Sequence, residues 1–252
     1  MLCFVMALKS KAVSTNWERV SQLFENSLRS AYHQKDPNFK IIVVCHETPQ
    51  LIQHYDQRVE IISVDFPPPQ KLATELTMQD KWRKLAIGMV RAGELQPDFV
   101  MIMDADDLVS NQIVQYANVH KESNGWMLKQ GYIYEYGSQW INYTEHFSCG
   151  SNSIVSSKLI QFPEDLSEQS INNCIILRWG HTIICEKLAE LRTPLSPLPF
   201  IGAVYILNHG ENDSSLCTSS ERYWHGVRYF LAKMRRIRPL TRRVKTDFSM
   251  HG

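Results

Sequence analysis

The sequence predicts an α/β protein: a mostly parallel sheet flanked by helices, followed by a smaller region of mixed character. Three observations predict it. Through the first hundred residues, short apolar runs alternate with stretches of helical periodicity, the pattern of units that build parallel sheets. One of those runs, Phe99 to Met103, breaks abruptly into Asp104, Asp106 and Asp107. A strand buried on both faces whose carboxyl end reaches solvent reads this way. Beyond residue 124 the segments become aromatic and alternating, which reads as antiparallel strands.

Taken in order, Cys3 to Leu8 is the first buried strand. Thr15 with Glu18 forms a capping box for a helix over about 16–33, whose Val20, Leu23, Phe24, Leu28, Ala31 and Tyr32 fall at helical spacing. Pro37 and Asn38 break the chain before a second strand, Lys40 to Cys45, which exits into His46 and Glu47. A third strand, Arg58 to Phe66, is ended by Pro67, Pro68 and Pro69. A helix from Met78 to Leu95 carries Lys81, Trp82, Arg83 and Lys84 in its first turns, and the acid-terminated strand follows. Asn111 to His120 continues as a helix, and Gly125 to Gly137 forms antiparallel strands. Phe147 to Val155 is a small-residue loop running into a short strand. Ile171 to Leu191 is helical around an interruption at Trp179-Gly180-His181. Pro194, Pro197 and Pro199 enforce an extended connector. Gly202 to Asn208 is the last buried strand, ending at His209-Gly210, and Ser219 to Phe230 reads as a helix ahead of a basic segment.

The 252-residue length suits one domain, with or without a small appendage. A net charge of +1 exerts no global pull on nucleic acid. The six cysteines are scattered with no C-x-x-C pair, against both a zinc ribbon and a disulfide-stapled scaffold. The apolar run Leu2 to Leu8 lacks the basic lead-in and cleavage site of a signal peptide. No run approaches the roughly 20 apolar residues that span a bilayer. The expectation is a cytoplasmic protein, in which the sequons at Asn142 and Asn212 carry no sugar.

The acids mark the expected site, because open α/β sheets bind ligands outside the carboxyl ends of their strands. Carboxylates two apart on extended chain point the same way, so Asp104 and Asp106 can reach one cation. Oxygen-only ligation suits a hard ion, magnesium or manganese, which commonly shares its coordination with phosphates. The plainer alternative is an acidic turn in which Asp107 and Ser110 cap the following helix.

DADD behind an apolar strand, about a hundred residues into the chain, resembles the Asp-x-Asp motif of GT-A-fold, nucleotide-sugar-dependent glycosyltransferases. The large family-2-type group of bacterial polysaccharide and lipid-glycosylating enzymes is the nearest pattern. The resemblance covers about residues 3–210. It implies a Rossmann-type, GT-A-like domain over 1–212, with a nucleotide-sugar half (1–110) and an acceptor-side half (111–212), then a C-terminal helix and basic tail (213–252). The implied activity is hexosyl transfer from a UDP- or GDP-sugar to a hydroxyl of a saccharide or lipid-linked acceptor. Mn²⁺ or Mg²⁺ is implied at Asp104 and Asp106, with His209 as the late-chain histidine that completes such sites. Implied donor contacts are Ala7 and Lys9 at the first strand exit, Glu47 for the base, Lys81, Lys84, Asp104, Ala105 and Asp106. Ala7, Lys9 and Ser10 stand where the family has a Pro-Thr-Tyr-Asn type of loop, and Cys-His-Glu replaces its paired acids at the second strand exit.

An inverting enzyme needs a base to take the acceptor proton. In the family an acid lies about thirty residues after a small-residue loop. Gly150-Ser151-Asn152 fits that loop, but His181 stands at the spacing, and Glu164-Asp165 comes early. His181 and Asp165 are therefore the two candidates, against the plain reading of His181 as a structural histidine in an apolar helix. Lys81 and Lys84 share a helix face, equally compatible with a solvated one. Trp126, Tyr132, Tyr134, Tyr136, Trp140 and Tyr143 are either an acceptor groove or sheet core. Three rival readings are a nucleotidyltransferase, whose Gly-rich loop is missing here, a phosphatase, whose Asp-x-Asp closes the first strand, and a non-catalytic nucleotide-sugar-binding domain.

Lys233 to Lys245 holds seven basic residues and no acid. With Tyr223, Trp224, Tyr229 and Phe230 upstream, it suits peripheral contact with the inner face of a membrane. The alternative is a solvated tail. No nucleic-acid recognition motif accompanies it.

Overall fold

A computed structural model of the protein describes residues 1–70, 74–211 and 236–250. The first half follows the predicted alternation: β1 (Leu2–Ala7), α1 (Trp17–Tyr32), β2 (Phe39–Cys45), β3 (Val59–Ser63), α2 (Thr74–Leu95) and β4 (Phe99–Asp104). These four strands run parallel in the order β3-β2-β1-β4. β1 shows why its residues are apolar on both sides. Phe4 and Met6 pack towards α1, while Cys3 and Val5 pack towards α2, the two-residue period of a strand covered on both faces. β3 is shorter than expected and half-buried, as befits the sheet edge. α1 is capped by Asn16, whose side chain accepts from the Arg19 amide at 2.9 Å, and not by the predicted Thr15, which is engaged elsewhere.

The sheet continues past β4 with β9 (Ser153–Ser156), then β6 (Gly125–Met127) and β10 (Ser196–Pro197). β9 is antiparallel to β4, so the sheet is mixed at this end. A second, five-stranded sheet runs β12-β8-β7-β11-β5. It is built from β5 (Leu108–Val109), β7 (Gly131–Glu135), β8 (Trp140–Thr144), β11 (Ala203–Leu207) and β12 (Ile237–Pro239). The last predicted strand, β11, therefore belongs to this second sheet.

Among the described residues the remaining helices are α3 (Ile113–Val119), α4 (Glu168–Asn173), α5 (Ile175–Glu190) and α6 (Arg242–Asp247). α5 is two helices joined at Gly180, with φ 58° and ψ −173°, a left-handed position that glycine adopts without strain. None of the described helices is long and apolar enough to cross a membrane. Cys3, Cys45, Cys149, Cys174 and Cys185 are free thiols. The predicted helix Ser219 to Phe230, the second sequon and the first part of the basic tail lie outside the described residues. Of the aromatic group, Trp126 and Tyr132 are buried, Tyr134 and Tyr143 half-buried, and Tyr136 and Trp140 exposed. Trp126 packs between Phe99 and Tyr116 in the core.

Candidate functional site

Ala7 of β1 lies opposite Asp104 of β4. From this pair β2 and β3 extend the sheet one way and β9 and β6 the other. This is the topological switch point, where strand ends leave a crevice for ligands. A cleft of about 380 Å³ opens there, within the range of small-molecule sites. Ala7, Lys9, Lys81, Asp104, Ala105, Asp106, His181 and His209 all line it.

One wall comes from β4 and α2. The Lys81 ammonium lies 2.7 Å from Asp104 Oδ1. Burial pulls that lysine down, but the negative charge of Asp104, with Asp106 and Asp107 behind it, holds it above the ordinary lysine range. Conversely, burial raises Asp104 and the Lys81 charge outweighs it, keeping the carboxyl below the usual range. A β-carbon on Gly150 would sit 1.9 Å from Asp104 Oδ2, so only glycine lets the 148–151 loop close on this carboxylate. Ser151 ties the turn together: its hydroxyl accepts from the Asp104 amide at 2.9 Å and donates to Asp107 Oδ2 at 2.7 Å. Asp107 is wholly buried. Burial and the neighbouring Asp104 and Asp106 charges push it well above the usual carboxylate range. It is thus a structural acid beneath the turn, and does not cap α3; Ser110 Oγ accepts from the Gln112 amide at 3.3 Å and Gln34 Oε1 from the Val114 amide at 3.1 Å.

Lys84 corrects an expectation. It neither meets the cleft nor sits on a solvated face. It is fully buried, donating to the Leu8 carbonyl at 2.9 Å and to Asp80 Oδ2 at 2.7 Å. His46 Nε2 meets the other Asp80 oxygen at 2.8 Å. This buried lysine, aspartate and histidine set fixes the exit of β1 from below. Glu47 is likewise removed from the cleft lining, its carboxylate accepting from the Ser10 hydroxyl and, at 3.0 Å, from the Lys11 amide. Its role is to hold the turn after β1.

The opposite wall is the segment 209–211, which follows β11. His209 is buried, with Nε2 3.2 Å from Asp106 Oδ2. Glu211 reaches back across the chain: Oε1 accepts from the Asn16 amide at 2.6 Å and the Thr15 amide at 2.9 Å, and from the Thr15 hydroxyl. Its other oxygen pairs with Lys9 at 3.3 Å. Burial raises this carboxyl, but those hydrogen bonds and the Lys9 charge hold it below the usual range. Sequence reasoning missed Glu211, because its partners lie about 195 residues earlier.

The fit of a divalent ion can be judged from the donors. Two ligands on an ion with bonds of about 2.1 Å at right angles stand about 3.0 Å apart, close to the 3.2 Å between Asp106 Oδ2 and His209 Nε2. Nε2 is buried and makes no hydrogen bond among the described residues. The Glu211 amide donates to Nδ1 at 3.3 Å, which leaves Nε2 to face Asp106. The expected trio of Asp104, Asp106 and His209 does not converge, since no set of three His, Cys, Asp or Glu side chains does so among the described residues and Asp104 is paired with Lys81. Asp106 and His209 thus fit an ion that takes its other ligands from phosphate and water, as magnesium commonly does.

The kink at Gly180 carries His181 onto the cleft, where Asn152 Nδ2 holds the His181 carbonyl at 3.0 Å. Partial burial lowers the His181 pKa below the ordinary imidazole range, against the pull of Asp104. Asp165 lies outside the cleft lining. It is exposed, and Oδ1 accepts from the Ser167 amide at 3.0 Å and the Ser167 hydroxyl at 2.5 Å.

No protein-family model and no curated protein matches the chain. Among solved structures it is similar to S. aureus TarS 1-349, at 11% identity and TM-score 0.43 over 81% of this chain and 60% of that one. The same protein in complex with UDP gives 10% identity and TM-score 0.41, over 82% of this chain and 61% of that one. The chain thus spans about three-fifths of the length of these TarS chains. A Desulfovibrio desulfuricans G20 protein, named as a nucleotide-diphospho-sugar transferase, gives 11% identity and TM-score 0.39 over 92% of this chain and 94% of that one. Likeness at this level is remote and carries none of the functional argument.

Proposed function

We propose that the cleft binds a nucleotide-diphosphate sugar and transfers its sugar to a hydroxyl acceptor. The observation that carries the reading is the acidic turn of β4 at the switch point beside β1, with Lys81, Asp106, His209 and His181 converging on it. Asp106 and His209 would hold Mg²⁺ or Mn²⁺. When bound, the ion supplies positive charge to the diphosphate as the bond to the sugar breaks.

The chain's own residues do the rest. Lys81, fully charged beside Asp104, offers a second fixed cation towards the leaving diphosphate, where preorganised charge is most effective. The acceptor oxygen bonds to the anomeric carbon while the bond to the diphosphate oxygen breaks, the electron pair leaving with the nucleotide. The hydroxyl proton then needs an acceptor. His181, which lines the cleft and is neutral at pH 7 because its pKa is lowered, would take it through a ring nitrogen. Lys84, Asp80 and His46 hold the β1 exit, and Glu211 holds the start of α1 against Lys9.

The test is a thermal-shift series with UDP- and GDP-sugars, with and without manganese. A ligand that binds only the folded protein raises its melting temperature. A rise that needs the ion, and is lost in Asp106→Asn at unchanged intrinsic stability, supports the reading. No shift with any nucleotide sugar at saturating concentration overturns it.

A further inference from the structure

The outer edge of the second sheet combines features for which the cleft has no use. β12 pairs with β8 in antiparallel register, Pro239 opposite Trp140 and Ile237 opposite Asn142, so Trp140, Ile237 and Pro239 share one face of the sheet. Trp140 is 56% exposed and Ile237 37%, and Pro239 is exposed as well. Arg236, Arg238, Arg242 and Arg243 are exposed along the same stretch. Residues 236–245 contain five basic side chains and no acid, in a chain whose net charge is only +1. The Arg243 side chain is 90% exposed and reaches Asp247 only at 3.9 Å. Arg238 lies over the Tyr143 ring at 5.1 Å.

We propose that this edge seats on an anionic membrane surface. An indole and an isoleucine side chain suit the boundary between headgroups and acyl chains. Guanidinium groups along the same edge, Arg238 on the opposite face over Tyr143, suit lipid phosphates and carboxylates. A second copy of the chain adding a strand to this edge is the poorer occupant. Pro239 offers no backbone N–H to a new strand, and two arginine-lined edges repel each other. Lone arginines would suit any polyanion, but a large exposed aromatic on the same outer strand pair selects a surface with an apolar layer beneath its charge. Nothing in the proposal draws on the nucleotide reading, so either can fail without the other.

The experiment is co-sedimentation of the full chain with phosphatidylcholine vesicles, with and without phosphatidylserine, at low and physiological salt. Binding that requires phosphatidylserine and weakens with salt is expected. The triple variant Arg236→Gln, Arg242→Gln, Arg243→Gln should bind about 100-fold more weakly, at about five-fold per basic residue. Trp140→Ser should weaken binding several-fold and leave the salt dependence unchanged. Both variants are checked for wild-type melting temperature, and the salt series on the unmodified chain stands even if one of them misfolds. Equal binding to neutral vesicles, undiminished binding by the folded triple variant, or salt-dependent capture by polyglutamate or a single-stranded oligonucleotide without vesicle binding would each overturn the proposal.

Discussion

The two walls of the cleft are built by opposite means. The wall from α2 and β4 is fixed from inside the parallel core, by ion pairs and hydrogen bonds among residues that flank apolar strands. The wall at 209–211 is an extension of β11 held against the start of α1 by Glu211 and facing Asp106 through His209. The first is part of the fold, and the second is laid over it. Damage to the first should therefore appear mainly as lost stability. Damage where the second meets Asp106 should appear mainly as lost binding.

The largest expected effect falls on the first wall. Lys84→Met leaves the Asp80 carboxylate buried without its cation and the Leu8 carbonyl without its donor. Breaking a buried pair on one side costs about 3–5 kcal/mol, which at this chain length lowers the melting temperature by roughly 10 °C. A loss of only a degree or two by calorimetry would show that Asp80 finds another partner. Next is Asp106→Asn, where the first wall meets His209 of the second. It should weaken ion-dependent nucleotide binding by about 10–100-fold, the scale of losses at metal sites, while the melting temperature of the free protein hardly moves. Titration calorimetry with UDP and manganese checks both halves of that statement, and unchanged affinity would remove the ion from the site.

Gly150→Ala tests the seam between the walls. The added methyl meets the Asp104 carboxylate and forces the 148–151 loop outward, with overpacking costs of about 1–3 kcal/mol. Denaturant unfolding and nucleotide affinity should both report it. If neither changes, the loop is not pressed against Asp104. Glu211→Gln gives a smaller effect. Two backbone amides keep an acceptor, but the charge facing Lys9 is lost, for about 1–2 kcal/mol. Because the folded pKa of Glu211 lies below its unfolded value, its contribution is present above pH 4.5 and fades as pH falls below that. Wild type and variant should differ in stability at neutral pH and converge in acid.

The smallest effect is a displacement on the pH axis. The His181 pKa lies below 6.5 in the folded protein, so a neutral base persists below the point where an ordinary imidazole is protonated. The acid limb of kcat/KM should fall below pH 6.5 and vanish in His181→Ala. An unaltered limb in that variant would assign the proton to another group. Asp165→Asn should be silent, because Asp165 engages only its own turn.

The same contrast decides what could be read from sequence. β1, β2 and β4 were legible because strands buried on both faces must be unbroken apolar runs, and their acids must emerge at one end. The position of the turn at the switch point was legible for the same reason. Lys84 was not, because a lysine four residues after Asp80 has the pattern of an exposed helix pair, and only the packing of α2 on β1 and β2 buries it. β3 was read too long because its edge position lets polar residues into a strand whose end is set by pairing. Glu211 was invisible because nothing local distinguishes a carboxylate that caps a distant helix. His209 came into view through its position at a strand exit and through the family resemblance.

The span of that last contact sets an order of assembly. Glu211 touches residues 195 and 196 positions earlier, among the most costly loops for a chain of this length to close. During synthesis the acidic turn of β4 emerges about a hundred residues before His209 and Glu211 follow. The parallel core can therefore form while the cleft still lacks one wall. A nascent chain stopped short of residue 209 would lack the wall that faces Asp106.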